Sequence, residues 1–156
     1  MVDVRAATAD DLATVAEIKT RALREDASDQ YDATQLDAIA PTPPDPDAYR
    51  SILERQEFTL VVAETANDVR GFGCLHADDG QIHAVFVSPA AMGEDVGTTL
   101  LEALERRAAA AGRDDLWLHS TLNARGFYAR HGYATGERTT VGADPEIPVV
   151  RMHKEI

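Results

Sequence analysis

Val85-Phe86-Val87-Ser88-Pro89-Ala90-Ala91-Met92-Gly93-Glu94-Asp95-Val96-Gly97-Thr98-Thr99-Leu100-Leu101 decides the fold. It begins as the end of an apolar strand, is stopped by Pro89, passes a loop with two glycines, Gly93 and Gly97, and becomes a helix. Across 96–111, Leu100, Leu101, Leu104 and Ala108 fall on one helical face, and Gly112 ends the run. The first turn of a helix leaves backbone N–H groups unpaired at the positive end of its dipole. Glycine lets a ligand approach that backbone closely, so such a turn can hold a phosphate or pyrophosphate. Taken alone, Gly93 and Gly97 fit a plain tight turn equally well. The stretch is neither a Walker loop, having no Gly-Lys-Ser/Thr, nor the dinucleotide fingerprint.

Working outward, Gln81–Ser88 reads as the strand that enters this turn. Asp79-Gly80 is a hairpin signal that pairs it antiparallel with a strand at Val69–His76. A turn at Asn67-Asp68 leads back to a strand at Phe58–Glu64. Downstream, Leu116–His119 is a buried strand, and the β-α-β crossover into it implies a parallel pair. A short helix over Leu122–Arg130 is stopped by His131-Gly132, and strands follow at Tyr133–Thr139 and Pro148–Lys154. At the other end, a strand at Val2–Ala6 precedes a helix capped by Thr8 and running through Arg24, with Leu12, Val15, Ile18 and Ala22 at helical spacing. A proline loop, Ala40–Pro46, separates it from a short helix over Asp47–Gln56. The class is α/β: one domain over 1–156, with a mixed central sheet flanked by helices.

Composition narrows the functional classes. The 156 residues carry 15 Lys plus Arg against 27 Asp plus Glu, a formal charge of −12. A surface this acidic repels nucleic acid and anionic membranes, so neither is an expected partner. Lys19 and Lys154 are the only lysines, and Asp outnumbers Glu. That balance reads as a halophilic-type acidic protein, whose self-repulsion is screened at high salt. No apolar run approaches a membrane span and no signal peptide opens the chain, so a soluble, cytoplasmic protein is expected. Cys74, the lone cysteine, lies in an apolar strand and reads as a buried structural thiol. His76, His131 and His153 have no metal-ligand spacing, and no metal is expected.

A second stretch lies one crossover beyond the first: His119-Ser120-Thr121-Leu122-Asn123-Ala124-Arg125-Gly126-Phe127-Tyr128-Ala129-Arg130-His131-Gly132-Tyr133. Together the two resemble the GCN5-related N-acetyltransferase (GNAT) family. The shared elements are Val87-Ser88-Pro89, the loop Met92–Gly97, Leu100-Leu101, Asn123, Phe127-Tyr128 and Gly132-Tyr133. The opening Val4–Leu12 also looks like the family's first strand and helix start. Two positions depart from the pattern: Met92 stands where Arg or Gln is usual, and Asp95 where the first of the paired glycines is usual.

The resemblance implies a single-domain GNAT-like fold and transfer of acetyl from acetyl-CoA, as cosubstrate, to a primary amine of a small molecule or peptide. It places Phe86, Val87, Met92, Gly93, Glu94, Asp95, Val96, Gly97, Thr98, Asn123 and Tyr128 at the cofactor. Tyr128 is the implied acid, because a phenol can protonate a departing thiolate of comparable basicity. Asn123 is either a pantetheine contact or the N-cap of the short helix. Asp95 and Glu94 either oppose the pyrophosphate or point outward, and Asp95 has the alternative of capping the helix. Arg106 and Arg107 either reach phosphates or face solvent.

For the base, period-two alternation puts Gln81, His83, Val85 and Val87 on one strand face. His83 there is either the base or a hydrogen-bonded histidine with no catalytic role, and Glu64 and His119 are the other candidates. The resemblance implies that residues 25–57 line the acceptor; their carboxylates either favour a cationic amine or form a solvated acidic surface. A homodimer is compatible with the family. The competing function is a non-catalytic CoA- or metabolite-binding module of the same fold.

Overall fold

In the computed structural model, which describes residues 1–156, the elements follow the expected order with one addition. β1 (Asp3–Ala6) leads through a single 3-10 turn into α1 (Leu12–Asp26), α2 (Ala33–Ile39) and α3 (Arg50–Glu54). β2 (Phe58–Thr65), β3 (Asp68–His76) and β4 (Gln81–Val87) come next. α4 (Val96–Ala110), β5 (Asp115–Thr121), α5 (Arg125–Arg130), β6 (Ala134–Val141) and β7 (Ile147–Glu155) complete the chain.

The addition is α2. Asp32 accepts from the Gln35 N–H at 2.8 Å, and the Gln35 side-chain oxygen accepts from the Asp32 N–H at 2.9 Å. This reciprocal cap satisfies two N–H groups that a helix start leaves open. The helix expected over Asp47–Gln56 is shorter, five residues at Arg50–Glu54.

The strands form one sheet in the order β1-β2-β3-β4-β5-β7-β6. Every neighbouring pair is antiparallel except β4 and β5, which are parallel as the crossover implied. Side chains alternate between the two faces. On one face α4 and α5 bury Leu100, Leu101, Leu104 and Tyr128 against Leu75, Ile82, Leu116, Leu118 and Met152. On the other, Leu12, Val15 and Ile18 of α1 pack on Leu60, Val62, Phe72, Cys74 and Ala84. Each fully buried leucine contributes roughly 1.5–3 kcal/mol. Gly71 sets how closely α4 lies on the sheet: a Cβ there would stand 3.0 Å from both Val96 and Leu100.

Two features of β4 position the site. β4 pairs with β5 only at Gln81–Trp117 and Ile82–Leu118, after which the strands part. β4 also carries a β-bulge against β3. Cys74 faces Ala84 and Leu75 faces Ile82, leaving His83 as the extra residue. A bulge shifts the period-two count by one. Ile82, Val85 and Val87 therefore pack on the α4 face, and Ala84 and Phe86 on the α1 face. The expected shared face of His83, Val85 and Val87 is corrected accordingly. Cys74 is fully buried, and burial pushes its thiol up to about 12, as a structural thiol requires.

Candidate active site

Where β4 and β5 part, a cavity of about 580 Å³ passes through the sheet. The end of β4, the loop and first turn of α4, the end of β5 and α5 line it from one side. Ala22, Leu23 and Asp26 of α1 line it from the other. The sequence stretches singled out above meet here. His83, Phe86, Val87, Met92, Gly93, Asp95, Val96, Gly97, Thr98, Asn123 and Tyr128 all line the cavity. Glu94 does not; it is exposed on the outside of the loop. Of the other bases weighed, His119 lines the cavity. Glu64 is bonded to Arg5 in a separate groove and is removed from the set.

The start of α4 is built to present donors. The first N–H of this turn to find an acceptor is that of Thr99, on the Asp95 carbonyl at 3.0 Å. The N–H groups of Val96, Gly97 and Thr98 precede it and have no intrahelical partner. Gly97 has a steric reason to be glycine: a Cβ would lie 3.1 Å from the Phe127 ring. Asp95 occupies the N-cap position in the left-handed conformation, φ 62°, and its side chain makes no capping bond. Its backbone carbonyl instead accepts from the Thr99 hydroxyl at 2.8 Å. The expectation of a capping carboxylate is thus corrected, and the conformation explains why glycine suits this position. Met92, 59% exposed, forms part of the mouth.

α5 begins at Arg125, with Ala124 at its N-cap, so Asn123 does not cap it. The loop before α5 is held by Tyr31, whose hydroxyl accepts from the Leu122 N–H at 3.0 Å and donates to the Pro148 carbonyl at 2.7 Å. Tyr128 is 6% exposed, and burial pushes its phenol well above the usual tyrosine value, so it stays protonated. Arg106 and Arg107 are exposed on α4 away from the cavity; Arg130, at the end of α5, is the arginine that lines it. Nothing in the sequence distinguished Arg130 from the others.

His83 projects from the bulge with its ring 5.1 Å from Phe58 and 6.1 Å from His76. Desolvation holds its imidazole below the usual histidine value; His76, Arg55 and His119 act in the same direction and Asp79 opposes them. His119 is lowered by desolvation and then by Arg151. Both rings are therefore neutral near pH 7 and free to accept a proton. Of the carboxylates in 25–57, Asp26 alone lines the cavity, and burial followed by the Glu25 charge raises its carboxyl above the usual value.

A sequence profile described as Acetyltransferase (GNAT) domain matches residues 24–156. The chain belongs to the GNAT acetyltransferase family. The fold agrees. A GCN5-related N-acetyltransferase from Rhodopseudomonas palustris superposes with a TM-score of 0.90 at 28% identity, over 99% of this chain and 95% of that one. The PaiA N-acetyltransferase of Thermoplasma acidophilum, solved with coenzyme A, gives 0.82 at 17% identity over 100% and 99%. The yncA structure from Salmonella typhimurium, solved with its cofactor acetyl-CoA, gives 0.70 at 19% over 99% and 94%. A search of curated proteins finds no match. No helix of this GNAT protein is long and apolar enough to cross a membrane.

Proposed function

We propose that this protein transfers acetyl from acetyl-CoA to a cationic primary amine by direct attack, within the cavity between β4 and β5. The observation that carries the reading is the convergence of three groups on one cavity: the open N–H groups of Val96, Gly97 and Thr98, the parted edge of β4, and the protonated Tyr128.

These residues fit the cosubstrate. The three N–H groups at the positive end of α4 suit a pyrophosphate, and Arg130 adds a positive charge. Beyond Ile82 the β5-facing backbone groups of β4 have no strand partner, so they suit the amides of an extended arm. Acetyl-CoA supplies the acetyl group as an activated thioester. The protein's part is then positioning and proton movement. His83, neutral and at the cavity wall, takes a proton from the ammonium so that the amine can attack; His119 is its nearest alternative. As the C–S bond breaks, Tyr128 Oη–H gives a proton to the departing sulfur, and the second proton shed by the acylated nitrogen restores the phenol. The acceptor enters from the α1 side, where Asp26 draws a cation against walls formed by Ala22 and Leu23.

The test is calorimetric titration of acetyl-CoA in low and in molar KCl, followed by a screen of amines. Micromolar binding and turnover of a cationic amine support the reading. Asp26→Asn should raise KM for cationic amines several-fold and leave neutral ones unchanged. Binding without turnover of any amine would favour a CoA-binding module, and no binding by folded protein would remove the cosubstrate site.

A further inference from the structure

Outside the groups used above, one side chain ties the two halves of the cavity together. His131 closes α5, and its Nδ1 lies 2.8 Å from the Phe127 carbonyl oxygen. That oxygen only accepts, so Nδ1 carries the proton. In the neutral ring Nε2 is then an acceptor, and Thr98 Oγ1, 2.9 Å away, donates to it. Thr98 belongs to the first turn of α4, so the two bonds run α4–imidazole–α5. The Phe127 ring completes the junction. It stacks tilted on His131, with centroids 4.7 Å apart, meets the Tyr128 ring edge-on at 5.2 Å, and lies over Gly97, where a Cβ would stand 3.1 Å from the ring.

We infer that His131 is a positioning residue, which fixes the separation between the α4 N–H cradle and the Tyr128 hydroxyl. This rests on the acetyl-CoA reading above. A ligand that spans both ends needs that separation fixed; one that meets only the cradle does not. Both cradle residues face the helix that carries Tyr128: Gly97 lies under the Phe127 ring and Thr98 is bonded to His131 at its end. Without the imidazole, Thr98 loses its acceptor, and α4 and α5 are left to apolar packing around Phe127 and Tyr128.

The experiment compares acetyl-CoA, which would span both ends, with ADP, which offers the pyrophosphate alone. Calorimetry on wild type, His131→Ala, Thr98→Val and the double variant gives the result. Expected is an about tenfold weaker Kd for acetyl-CoA in His131→Ala, the scale of one net hydrogen bond, with ADP within about twofold of wild type. In the Thr98→Val background, His131→Ala should add almost nothing, because the coupling is already lost. Equal weakening of both ligands, no weakening, or full additivity would overturn the inference. Wild type that binds neither ligand would instead overturn the cosubstrate reading itself. Independently of any ligand, the 15N spectrum of His131 should show the Nδ1–H tautomer with Nε2 as acceptor, altered by Thr98→Val. The Nε2–H tautomer would also overturn it.

Discussion

Two concave regions of this molecule have similar size and opposite chemistry. The groove beside β1 and β2, about 500 Å³, is lined by Arg5, Arg21 and Arg70 among Asp11, Glu17, Glu64 and Asp68. There each guanidinium has a carboxylate within 4 Å. Arg5 holds Asp11 through Nη1 at 2.8 Å and Nη2 at 3.0 Å and also holds Glu64. Arg21 meets Glu17 at 3.7 Å and Arg70 meets Asp68 at 3.6 Å. The cavity between β4 and β5 is mostly apolar; Thr98 and Ser120 have hydrogen-bond partners, but the first N–H groups of α4 and the charges of Asp26, Asp95 and Arg130 are left without them. The charges of the groove beside β1 and β2 answer one another and its Arg5–Asp11–Glu64 cluster ties β1 to β2 and α1, although the buried Nε of Arg70 has no hydrogen-bond partner. A cavity whose donors and charges stay open suits the ligand proposed for it. Size alone does not separate the two; the state of the polar groups does.

The comparison is sharpened most by Tyr128→Phe. Loss of the proposed acid should lower kcat by about 10²–10⁴-fold, the range for general acid–base catalysis, well beyond the about tenfold loss of acetyl-CoA affinity expected when a ligand that spans both ends loses one hydrogen bond. Steady-state kinetics beside calorimetry checks both. Next in size, Asp11→Asn in the other groove should cost about 2 kcal/mol in stability, as for a charge-assisted hydrogen bond, with kcat unchanged. Hydrogen bonds from Arg5 hold the Asp11 carboxyl below its usual value. A lowered carboxyl adds stability above its unfolded pKa of about 3.9, and that part is lost as pH falls through the lower folded value. Urea unfolding against pH should therefore show a fall below about pH 4 that is smaller in Asp11→Asn. An effect of Asp11→Asn on kcat would break the division between the two regions.

His83→Ala should lower kcat/KM by about tenfold without weakening acetyl-CoA. Because desolvation lowers the imidazole, the acid limb of the wild-type profile should lie below about pH 6.5, with rate rising as pH passes it. Unchanged turnover would transfer the role to His119. The smallest effect expected is from Asp95→Gly. It removes a left-handed non-glycine residue, worth about 1 kcal/mol or less in stability. It also removes a carboxylate beside the cradle, so acetyl-CoA should bind a few-fold tighter in low salt and equally in molar KCl. Asp95→Asn, which keeps the backbone demand, separates the two effects.

Much of this was legible in the sequence because the signals were periodic. α4 follows from Leu100, Leu101, Leu104 and Ala108, the β3–β4 hairpin from Asp79-Gly80, and the crossover fixed the parallel pair. α2 left a fainter signal, with Leu36 its one buried residue, yet the Asp32/Gln35 cap was readable. The bulge at His83 was not. Alternation presumes an unbroken pairing register, and only the partner strand reveals an extra residue. The α1 wall of the cavity, Arg130 and the Thr98–His131 bond depend on contacts between elements distant in sequence, for which local pattern carries no signal.

The most direct test of the central claim is an amide NMR titration with acetyl-CoA. Shifts should concentrate on Val96, Gly97 and Thr98, on Val85–Val87 and on Asn123, with Arg5, Asp11 and Arg70 unmoved. Shifts centred on the Arg5 groove, or none in either region at saturating ligand, would contradict it.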